Sequence, residues 1–491
     1  MNLVSDPWIP VTDRKHNFQR VSLEQLFQRA AEIGDLAVNP AQRIALMRLL
    51  ICITQAALNG PRNEGQWLDC QQAIPAEAKD YLAKWQPAFG LFGRQPFMQV
   101  PDLECKDKGL RVIRALDWRS PFGGSATVHF ARDIGYASMM PEPAQSALDL
   151  LCLLNFSPGG KVGQAVWHGK DFSSSTFQAP NLNILHTFVK GQDLLETIWL
   201  NLICKEGPAS LESLPQAEWG KPTWELFPAG PDDEKAISNA TSSYLGRLVP
   251  LTRLVRILDG QDRCIVGPPP KALKPRPLPA FRDPFATVVA SKKDCDYLKV
   301  SSSKHIWREL GSILSLSKVN GLQKAALPLA RIRRLKEASG LNTIEIWTGG
   351  LETGATAAKL NDLLEWNLTL PPAQFEQSAL ARYQAGVELA ERADKVLRAA
   401  VKKYWKGFNR DGKTIPYDRA SGRFWSDLDA GFNLLVETAS APEASLNESW
   451  YPRVRRAMEN AFGASCPHVA ARQIQVFAEA RTGLRLKKLA E

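Results

Sequence analysis

Residues 375–404 read FEQSALARYQAGVELAERADKVLRAAVKKY, and this stretch decides the architecture of the C-terminal part of the chain. Its apolar residues recur every three or four positions, the spacing that places side chains on one face of an α-helix. These positions are Leu389, Ala393, Val396, Leu397, Ala400, Val401 and Tyr404. Glu391 lies four residues before Lys395 on an outer face, where the pair supports the helix. The stretch therefore predicts a long amphipathic helix that must bury one side.

Three further segments continue this helical spacing. The apolar positions are Phe424, Leu428, Phe432 and Leu435 in the second helix, and Trp450, Val454, Met458 and Phe462 in the third. We expect the third helix to stop at Gly463, before Pro467, and a fourth to run from about His468 onward. Because each helix has one apolar stripe to bury, residues 371–491 are expected to form a four-helix bundle.

Residues 1–370 mix helical and extended patterns without a regular alternation of strand and helix. Residues 39–58 look helical, whereas periodicity cannot decide between strand and helix for residues 197–204. We therefore expect an α+β fold, in which a large irregular mixed N-terminal domain is followed by a C-terminal four-helix bundle. A length of 491 residues exceeds what one hydrophobic core usually supports, in agreement with at least two domains.

The composition is that of a globular protein with a concentrated positive charge. Hydrophobic residues make up 44% and charged residues 23% of the chain, which excludes a disordered protein. Residues 268–336 contain 15 Lys and Arg against 4 Asp and Glu, so their net charge of +11 accounts for the whole excess of +10. Such a stretch attracts phosphate backbones. A solvated basic face without a partner is the alternative.

Several classes of protein are disfavoured by what the sequence lacks. The N-terminus has no secretion-signal pattern and no stretch is apolar enough to span a bilayer, so we expect a cytoplasmic protein. The eight cysteines form no Cys-x-x-Cys pair and the six histidines have no metal-ligand spacing. We therefore predict no metal and no cofactor. No catalytic constellation emerges from spacing, which favours a protein that is not an enzyme.

One motif is typical of nucleotide-binding enzymes. Residues 407–414 read GFNRDGKT and match the phosphate-loop pattern. That motif works when a strand enters the loop and a helix begins directly after it, so that backbone N–H groups surround the phosphates. Here a predicted helix precedes the motif and Ile415-Pro416 follows it, so we interpret it as a helix-to-helix loop. A nucleotide-dependent enzyme that uses Lys413 is the alternative.

Four loops have residue types suited to nucleic-acid contact. Residues 155–163, NFSPGGKVG, form a glycine-rich turn with one lysine, which permits close backbone approach. Residues 120–133 combine glycines with aromatic residues and an arginine, either as a base-stacking mobile loop or as a plain surface loop. Residues 267–277, GPPPKALKPRP, are predicted to form an extended, exposed loop that carries lysines. Residues 348–356, TGGLETGAT, follow a strand-like segment and predict a hairpin or a strand-to-helix turn.

The chain resembles the CasA family, the large subunit of the type I-E CRISPR Cascade complex. Residues 2–11, NLVSDPWIPV, resemble the opening of the family, and a Trp-Ile-Pro triplet at that place has no generic physical reason. Residues 95–99, QPFMQ, and residues 187–191, TFVKG, resemble two further signatures. The resemblance runs in order from residue 2 to the terminal bundle.

The resemblance implies a subunit that contacts the 5′ end of the guide RNA and reads the protospacer-adjacent motif (PAM) on double-stranded DNA. It further implies that the protein starts strand separation and recruits a helicase-nuclease, without cutting DNA itself. The implied partners are the guide RNA, double-stranded target DNA, the helicase-nuclease, and the backbone, small and 5′-handle-binding subunits of Cascade. A structural scaffold that binds guide RNA without reading DNA is the second alternative.

The resemblance also assigns roles to individual residues. The loop that enters the PAM minor groove corresponds to Gly159, Gly160, Lys161 and Gly163, and the lysine finger to Lys271 or, second, Lys274. The strand-separating wedge corresponds to Thr353, Gly354, Ala355 and Thr356, where members of the family have a glutamine. The mobile loop near the PAM and the RNA handle corresponds to His129, Phe130 and Arg132. The expected path of the non-target strand over the bundle includes Lys402, Lys403, Arg453 and Arg456. Because the minor groove presents a degenerate pattern, a promiscuous PAM is expected.

Overall fold

The computed structural model describes residues 1–105, 110–117, 142–173, 175–207, 210–215, 218–292, 294–332, 343–354, 360–408 and 415–489. The chain divides into two compact units. The first unit consists of Met1–Ser302, Ser317–Arg331 and Glu345–Leu368, and the second of Ser303–Leu316, Ile332–Ile344 and Thr369–Glu491. Two short segments before residue 345 thus belong to the second unit.

In the described residues, the strands of the first unit form small separate sheets. The three-stranded sheets have the orders Phe18–Val21, Ile9–Asp13, Ile33–Leu36; Leu360–Leu370, Ile344–Thr353, His186–Lys190; and Leu110–Val112, Arg263–Gly267, Leu254–Ile257. The two-stranded pairs are Ala165–Trp167 with Lys170–Phe172, Val288–Ala290 with Cys295–Tyr297, and Lys318–Val319 with Leu322–Gln323. Short antiparallel ribbons of this kind, joined by loops, make the first unit an irregular mixed fold.

The helices of the first unit pack between these sheets and loops. They are Leu23–Gln28, Pro40–Ala57, Glu64–Asp69, Ile74–Trp85, Pro143–Phe156, Leu194–Leu200, Glu234–Ser242 and Tyr244–Leu248. Helix Pro40–Ala57 confirms the helix expected at residues 39–58, and a capping box between Asn39 and Gln42 defines its start. The ambiguous segment 197–204 begins as the end of helix Leu194–Leu200.

A buried ion pair ties helix Pro40–Ala57 to a distant loop. Arg48 donates from Nη1 to Oδ2 of Asp283 at 2.6 Å, and its other nitrogens donate to the carbonyl oxygens of Arg247 and Leu248. Burial by itself raises the pKa of Asp283, but the charge of Arg48 and the hydrogen bonds outweigh burial and lower it. The pair is therefore ionised and its polar atoms are satisfied, as a buried charge requires.

The second unit is a helical bundle around one long helix. Its helices are Leu310–Ile313, Gln377–Lys406, Tyr417–Asp429, Phe432–Ser440, Trp450–Ser465 and Ala471–Arg481. The second predicted helix is thus two helices that meet at Gly431, where an added Cβ would lie 3.0 Å from Nε of Arg453. The third extends past Gly463 and ends at Ser465, so its expected end was wrong by two residues.

Aromatic side chains hold this bundle together. Trp450 donates from Nε1 to the carbonyl oxygen of Gly386 at 3.0 Å, on the long helix. Tyr383 donates from Oη to the carbonyl oxygen of Trp307 at 2.7 Å, and the Trp307 ring lies 5.8 Å from that of Trp425. Residues 303–316 therefore belong to the bundle because Trp307 is part of its core.

The phosphate-loop pattern lies between two helices of the bundle. Residues 409–414 of the pattern fall outside the described residues. Helix Gln377–Lys406 ends just before the pattern, and two residues separate the pattern from helix Tyr417–Asp429. The described residues before the pattern are thus helical, in place of the strand that a phosphate loop requires.

Candidate nucleic-acid interface

The glycine-rich turn 155–163 has a fixed backbone. Gly160 is exposed and has a φ of 120°, which residues with a Cβ rarely adopt. Its N–H donates to the carbonyl oxygen of Thr176 at 3.0 Å, and its own carbonyl oxygen accepts from the N–H of Thr176 at 2.8 Å. Gly159 is crowded, since a Cβ there would lie 3.3 Å from the backbone nitrogen of Gln178. The turn therefore presents bare backbone and is held against the neighbouring segment.

One buried arginine supports this turn from behind. Arg253 is 1% exposed and donates to the carbonyl oxygens of Pro158, of Phe177 at 3.2 Å and of Thr252 at 2.5 Å. Burial lowers the pKa of its guanidinium to about 9, which still leaves it charged at neutral pH. Because carbonyl groups from three segments share one guanidinium, the turn and its neighbour are positioned together.

The two remaining residues of the turn have different surroundings. Lys161 is exposed and has no ion-pair partner in the part of the chain that the structure describes. Gly163 packs under strand Arg263–Gly267, and a Cβ there would lie 2.9 Å from the carbonyl oxygen of Val266. Gly163 thus has a packing requirement, whereas Lys161 is available to an anion.

The proline-rich loop 268–277 is less extended than expected. Residues 268–270 are buried prolines, and Lys271–Leu273 forms a 3₁₀ turn that buries its last side chain. The expectation of an extended, exposed loop is therefore wrong for the first half of the loop, where apolar side chains gain more from burial than from solvent. Lys271 and Lys274 are both exposed, as the predicted finger requires.

A groove of about 510 Å³ in the first unit joins several predicted elements. Its lining includes Gln178 beside the glycine turn, Lys274 of the proline-rich loop, and Thr353 with Gly354 of the wedge candidate. These residues are far apart in the sequence and meet only in the fold. Lys271 is not among the residues that line the groove, so of the two lysines proposed for the finger only Lys274 shares the groove with the wedge candidate.

The charge of the groove is positive. Arg276 and Lys299 line it together with Lys274, and the acid among the lining residues, Asp296, lies 3.5 Å from Lys299. Arg247 fixes the loop from below: its guanidinium carbon lies 3.6 Å from the ring centre of Phe281, and Nη1 donates to the carbonyl oxygen of Arg276 at 2.6 Å. Burial lowers the pKa of Arg247 to about 10, so it stays charged at neutral pH. A phosphate-bearing ligand is the chemistry that this groove favours.

The wedge candidate continues a mostly buried strand, Ile344–Thr353. This strand pairs antiparallel with His186–Lys190, which carries most of the TFVKG signature, and with Leu360–Leu370 on its other side. Gly350 is required there, since a Cβ would lie 2.5 Å from the carbonyl oxygen of Ile184. The signature strand thus anchors the base of the wedge candidate.

Two predicted elements fall partly or wholly outside the described residues. Residues 355–359 and 118–141 are not described. The predicted site residues within these segments are Ala355, Thr356, His129, Phe130 and Arg132.

Comparison with known proteins decides the family. The sequence profile of the family described as CRISPR-associated protein Cse1 matches residues 2–461. The chain belongs to the Cse1 family. A CasA/Cse1 protein of Thermus thermophilus is 27% identical over 502 aligned positions, which cover 94% of this chain and 92% of that protein.

Solved structures of Cse1 proteins have the same fold. The structure of Thermus thermophilus CasA (Cse1) matches with a TM-score of 0.78 at 23% identity, and that of Thermobifida fusca Cse1 with 0.81 at 20% identity. Each comparison covers 99% of this chain and 98% of the other. A chain of a structure titled CRISPR RNA-guided surveillance complex matches with a TM-score of 0.76 at 18% identity over 99% of both chains. The α+β fold with its C-terminal helical part is thereby confirmed.

The bundle cations expected from the Cse1 resemblance are unequally available. Lys403 donates to the carbonyl oxygen of Glu479 at 2.6 Å, and Arg453 donates to the carbonyl oxygen of Asp427 at 2.6 Å and to its carboxylate at 3.2 Å. Lys402 and Arg456 are exposed, with no ion-pair partner among the residues described. Two of the four predicted cations, Lys403 and Arg453, are thus engaged in hydrogen bonds within the chain.

Sequence reasoning missed two cations of the groove, Arg276 and Lys299. Both lie in the basic stretch 268–336, so the charge count contained the signal without separating these residues from the others. Arg282 and Arg331 belong to the same stretch and are 0% and 2% exposed, respectively. The charge excess therefore overestimates the positive surface.

The described residues contain neither a metal-binding cluster nor a membrane-spanning helix. In the described ranges, no group of three or more His, Cys, Asp or Glu is arranged to hold a metal ion. No described helix is both long and apolar enough to cross a membrane. None of the eight cysteines, all of which lie in the described ranges, forms a disulfide.

Proposed function

We propose that this chain is the large subunit of a type I-E CRISPR RNA-guided surveillance complex and reads the PAM of double-stranded DNA with its first unit. The observation that carries the proposal is the positive groove that Gln178, Lys274 and Thr353 line together. Family membership supports the assignment to such a complex. In this proposal the chain functions by binding and does not itself cut the DNA.

The glycine turn, the proline-rich loop and the wedge candidate each have a role in this proposal. The backbone of Gly159 and Gly160 approaches the minor groove, where the absence of side chains permits close contact. Lys161 and Lys274 contact phosphates or base edges, and the segment after Thr353 parts the strands. Because residues 354–356 are small, opening depends more on guide pairing and on backbone contacts than on stacking of a side chain.

The proposal extends to the partners of the complex. The segment around Phe130 contacts the PAM region and the 5′ handle of the guide RNA, and the helical bundle contacts the small subunit. Lys402 and Arg456 lie on the path of the non-target strand. Recruitment of a helicase-nuclease completes the role, and the cytoplasm is the compartment in which it operates.

A gel-shift comparison of the assembled complex tests PAM reading. Complexes with and without this chain are compared on targets that differ only in the PAM. We expect PAM-dependent binding only when the chain is present. Equal binding to all targets by the complete complex would show a guide-RNA scaffold without DNA readout and would contradict the proposal.

A matched pair of glycine variants isolates the turn. Gly160 and Gly93 are both exposed, with φ of 120° and 112°, and an added Cβ would meet nothing within 4 Å at either position. Gly160→Ala and Gly93→Ala therefore introduce similar backbone strain. We expect only Gly160→Ala to weaken binding to PAM-containing DNA in the same gel-shift assay. Equal losses in both variants would remove the assigned role of the turn.

A further inference from the structure

The last described residues of the chain are tied to the bundle. Tyr451 donates from Oη to the carbonyl oxygen of Leu486 at 2.8 Å. The side-chain amide of Asn447 donates to the carbonyl oxygen of Leu489 at 3.1 Å and accepts from its N–H at 2.9 Å. Chain ends are poorly ordered unless they are held in this way. We call residues 484–489 the terminal strap.

The terminal strap has an inner and an outer side. Leu484, Leu486 and Leu489 are half-buried, whereas Arg485, Lys487 and Lys488 are exposed. The three cations of the strap are therefore accessible to solvent, whereas its three leucines are partly covered.

The cations of the strap have no acidic partners. The strap, LRLKKL, contains three cations and no acid, and a fourth cation, Arg481, lies three residues before it. None of the four forms an ion pair with any described residue. On the neighbouring helix, by contrast, Arg453 and Arg455 lie 3.2 and 3.0 Å from carboxylate oxygens of Asp427 and Glu459. Like charges held side by side repel one another, so the strap does not gain its stability from them.

We propose that the terminal strap binds the phosphate backbone of a nucleic-acid strand. A row of exposed cations on a backbone already held in place loses little conformational entropy when it meets a polyanion. Such contacts position a nucleic acid without reading its sequence. The inference rests on the proposed function, which brings nucleic acid to this chain, and it adds a sequence-independent contact in the second unit.

The salt dependence of binding tests this contact directly. The full chain and its variant Arg485→Gln/Lys487→Gln/Lys488→Gln are titrated with a fluorescein-labelled oligo-dT, and the affinity is measured by anisotropy at several salt concentrations. Each phosphate contact contributes about 0.7 to the slope of log affinity against log salt concentration. We expect the slope of the variant to be shallower by about 2. A duplex of equal length distinguishes duplex from single-strand phosphates as the source.

A matched variant controls for the loss of three charges. Lys79, Lys221 and Lys235 are exposed lysines of the first unit with no ion-pair partner among the described residues. Lys79→Gln/Lys221→Gln/Lys235→Gln lowers the net charge by the same amount and should leave the slope unchanged. Far-UV circular dichroism and thermal unfolding verify that both variants are folded.

A second variant removes the attachments and keeps the charges. In Asn447→Ala/Tyr451→Phe, the side-chain groups that hold the backbone of the strap are lost. We expect several-fold weaker binding at low salt with a slope near that of the unaltered chain, because the same cations still release counterions. Affinity equal to that of the unaltered chain would contradict a preorganised strap.

The outcomes separate this inference from the proposed function. A slope change no larger than in the control, or no binding of either polymer by the unaltered chain, overturns the inference. An unchanged oligonucleotide slope together with weaker binding of polyglutamate by the strap variant would identify an acidic protein as the partner and overturn the inference as well. PAM discrimination in the gel shift should be unaffected by the strap variant, so its failure bears on the proposed function alone.

Discussion

The interior of the first unit and the loops on its surface both contain cations, but their surroundings are opposite. Arg48 and Arg253 are nearly inaccessible and donate to a carboxylate or to backbone carbonyl groups of distant segments. Lys161 and Lys274 are exposed and have no ion-pair partner in the described part of the chain. The buried set positions loops, and the exposed set is available to a ligand.

This contrast shows how buried arginines fix the backbone of surface loops that have few packing contacts of their own. The glycine turn has few side chains of its own for packing, so a guanidinium behind it supplies the contacts. The proline-rich loop is similarly supported by Arg247. Substitutions in the buried set should therefore alter stability, whereas substitutions in the exposed set should alter binding.

The largest effect is expected in the buried set. Asp283→Asn leaves the charge of Arg48 without its counterion in the core, and loss of one partner of a buried pair costs about 3–5 kcal/mol. We expect the free energy of unfolding, measured by urea denaturation, to fall by that amount. Asp232→Asn, which removes the exposed partner of Lys170, is the control and should be nearly silent. Similar decreases in the two variants would show that the buried and the exposed ion pair contribute equally to the free energy of unfolding.

A pH dependence should accompany the buried set. Burial lowers the pKa of His186 to about 4, below the value of about 6.5 for an unfolded histidine. Between these values the unfolded chain binds a proton that the folded chain does not, so stability decreases as the pH falls from 6.5 towards 4. The contribution lost by pH 5 is roughly 2 kcal/mol.

The variant His186→Asn isolates this contribution from that of the carboxylates. Its stability should decrease less between pH 7 and pH 5 than that of the unaltered chain, as measured by urea denaturation at both values. Equal decreases would assign the acid sensitivity to other groups, such as Asp283, whose lowered pKa acts in the same direction.

The effect expected in the exposed set concerns binding alone and should leave stability unchanged. Lys274→Ala should weaken binding of PAM-containing DNA to the assembled complex by about 1–3 kcal/mol. Lys271→Ala should have less effect, because Lys271 does not line the groove. Equilibrium titrations at several salt concentrations measure both. A larger loss for Lys271→Ala would show that Lys271 is the lysine finger, as the family resemblance favours. A lower free energy of unfolding for Lys274→Ala would show that Lys274 contributes to stability.

Local pattern was sufficient for features that depend on neighbouring residues. The helical period of residues 375–404 predicted the helix Gln377–Lys406, because an amphipathic stripe is a property of one segment alone. Short motifs at residues 2–11, 95–99 and 187–191 were sufficient for the family. The same local pattern did not predict the break at Gly431, since the approach of Arg453 that accompanies it comes from another helix.

The amino-acid sequence by itself determined the class of fold, the family and the residue types available for phosphate contact. Only the tertiary structure decided that Trp307 belongs to the bundle, that Arg282 and Arg331 are buried, and that Lys274 shares a groove with Thr353. The physical reason is that a charged side chain is buried or exposed according to the acceptors that distant segments bring to it. Periodicity and charge counts contain no information about those acceptors.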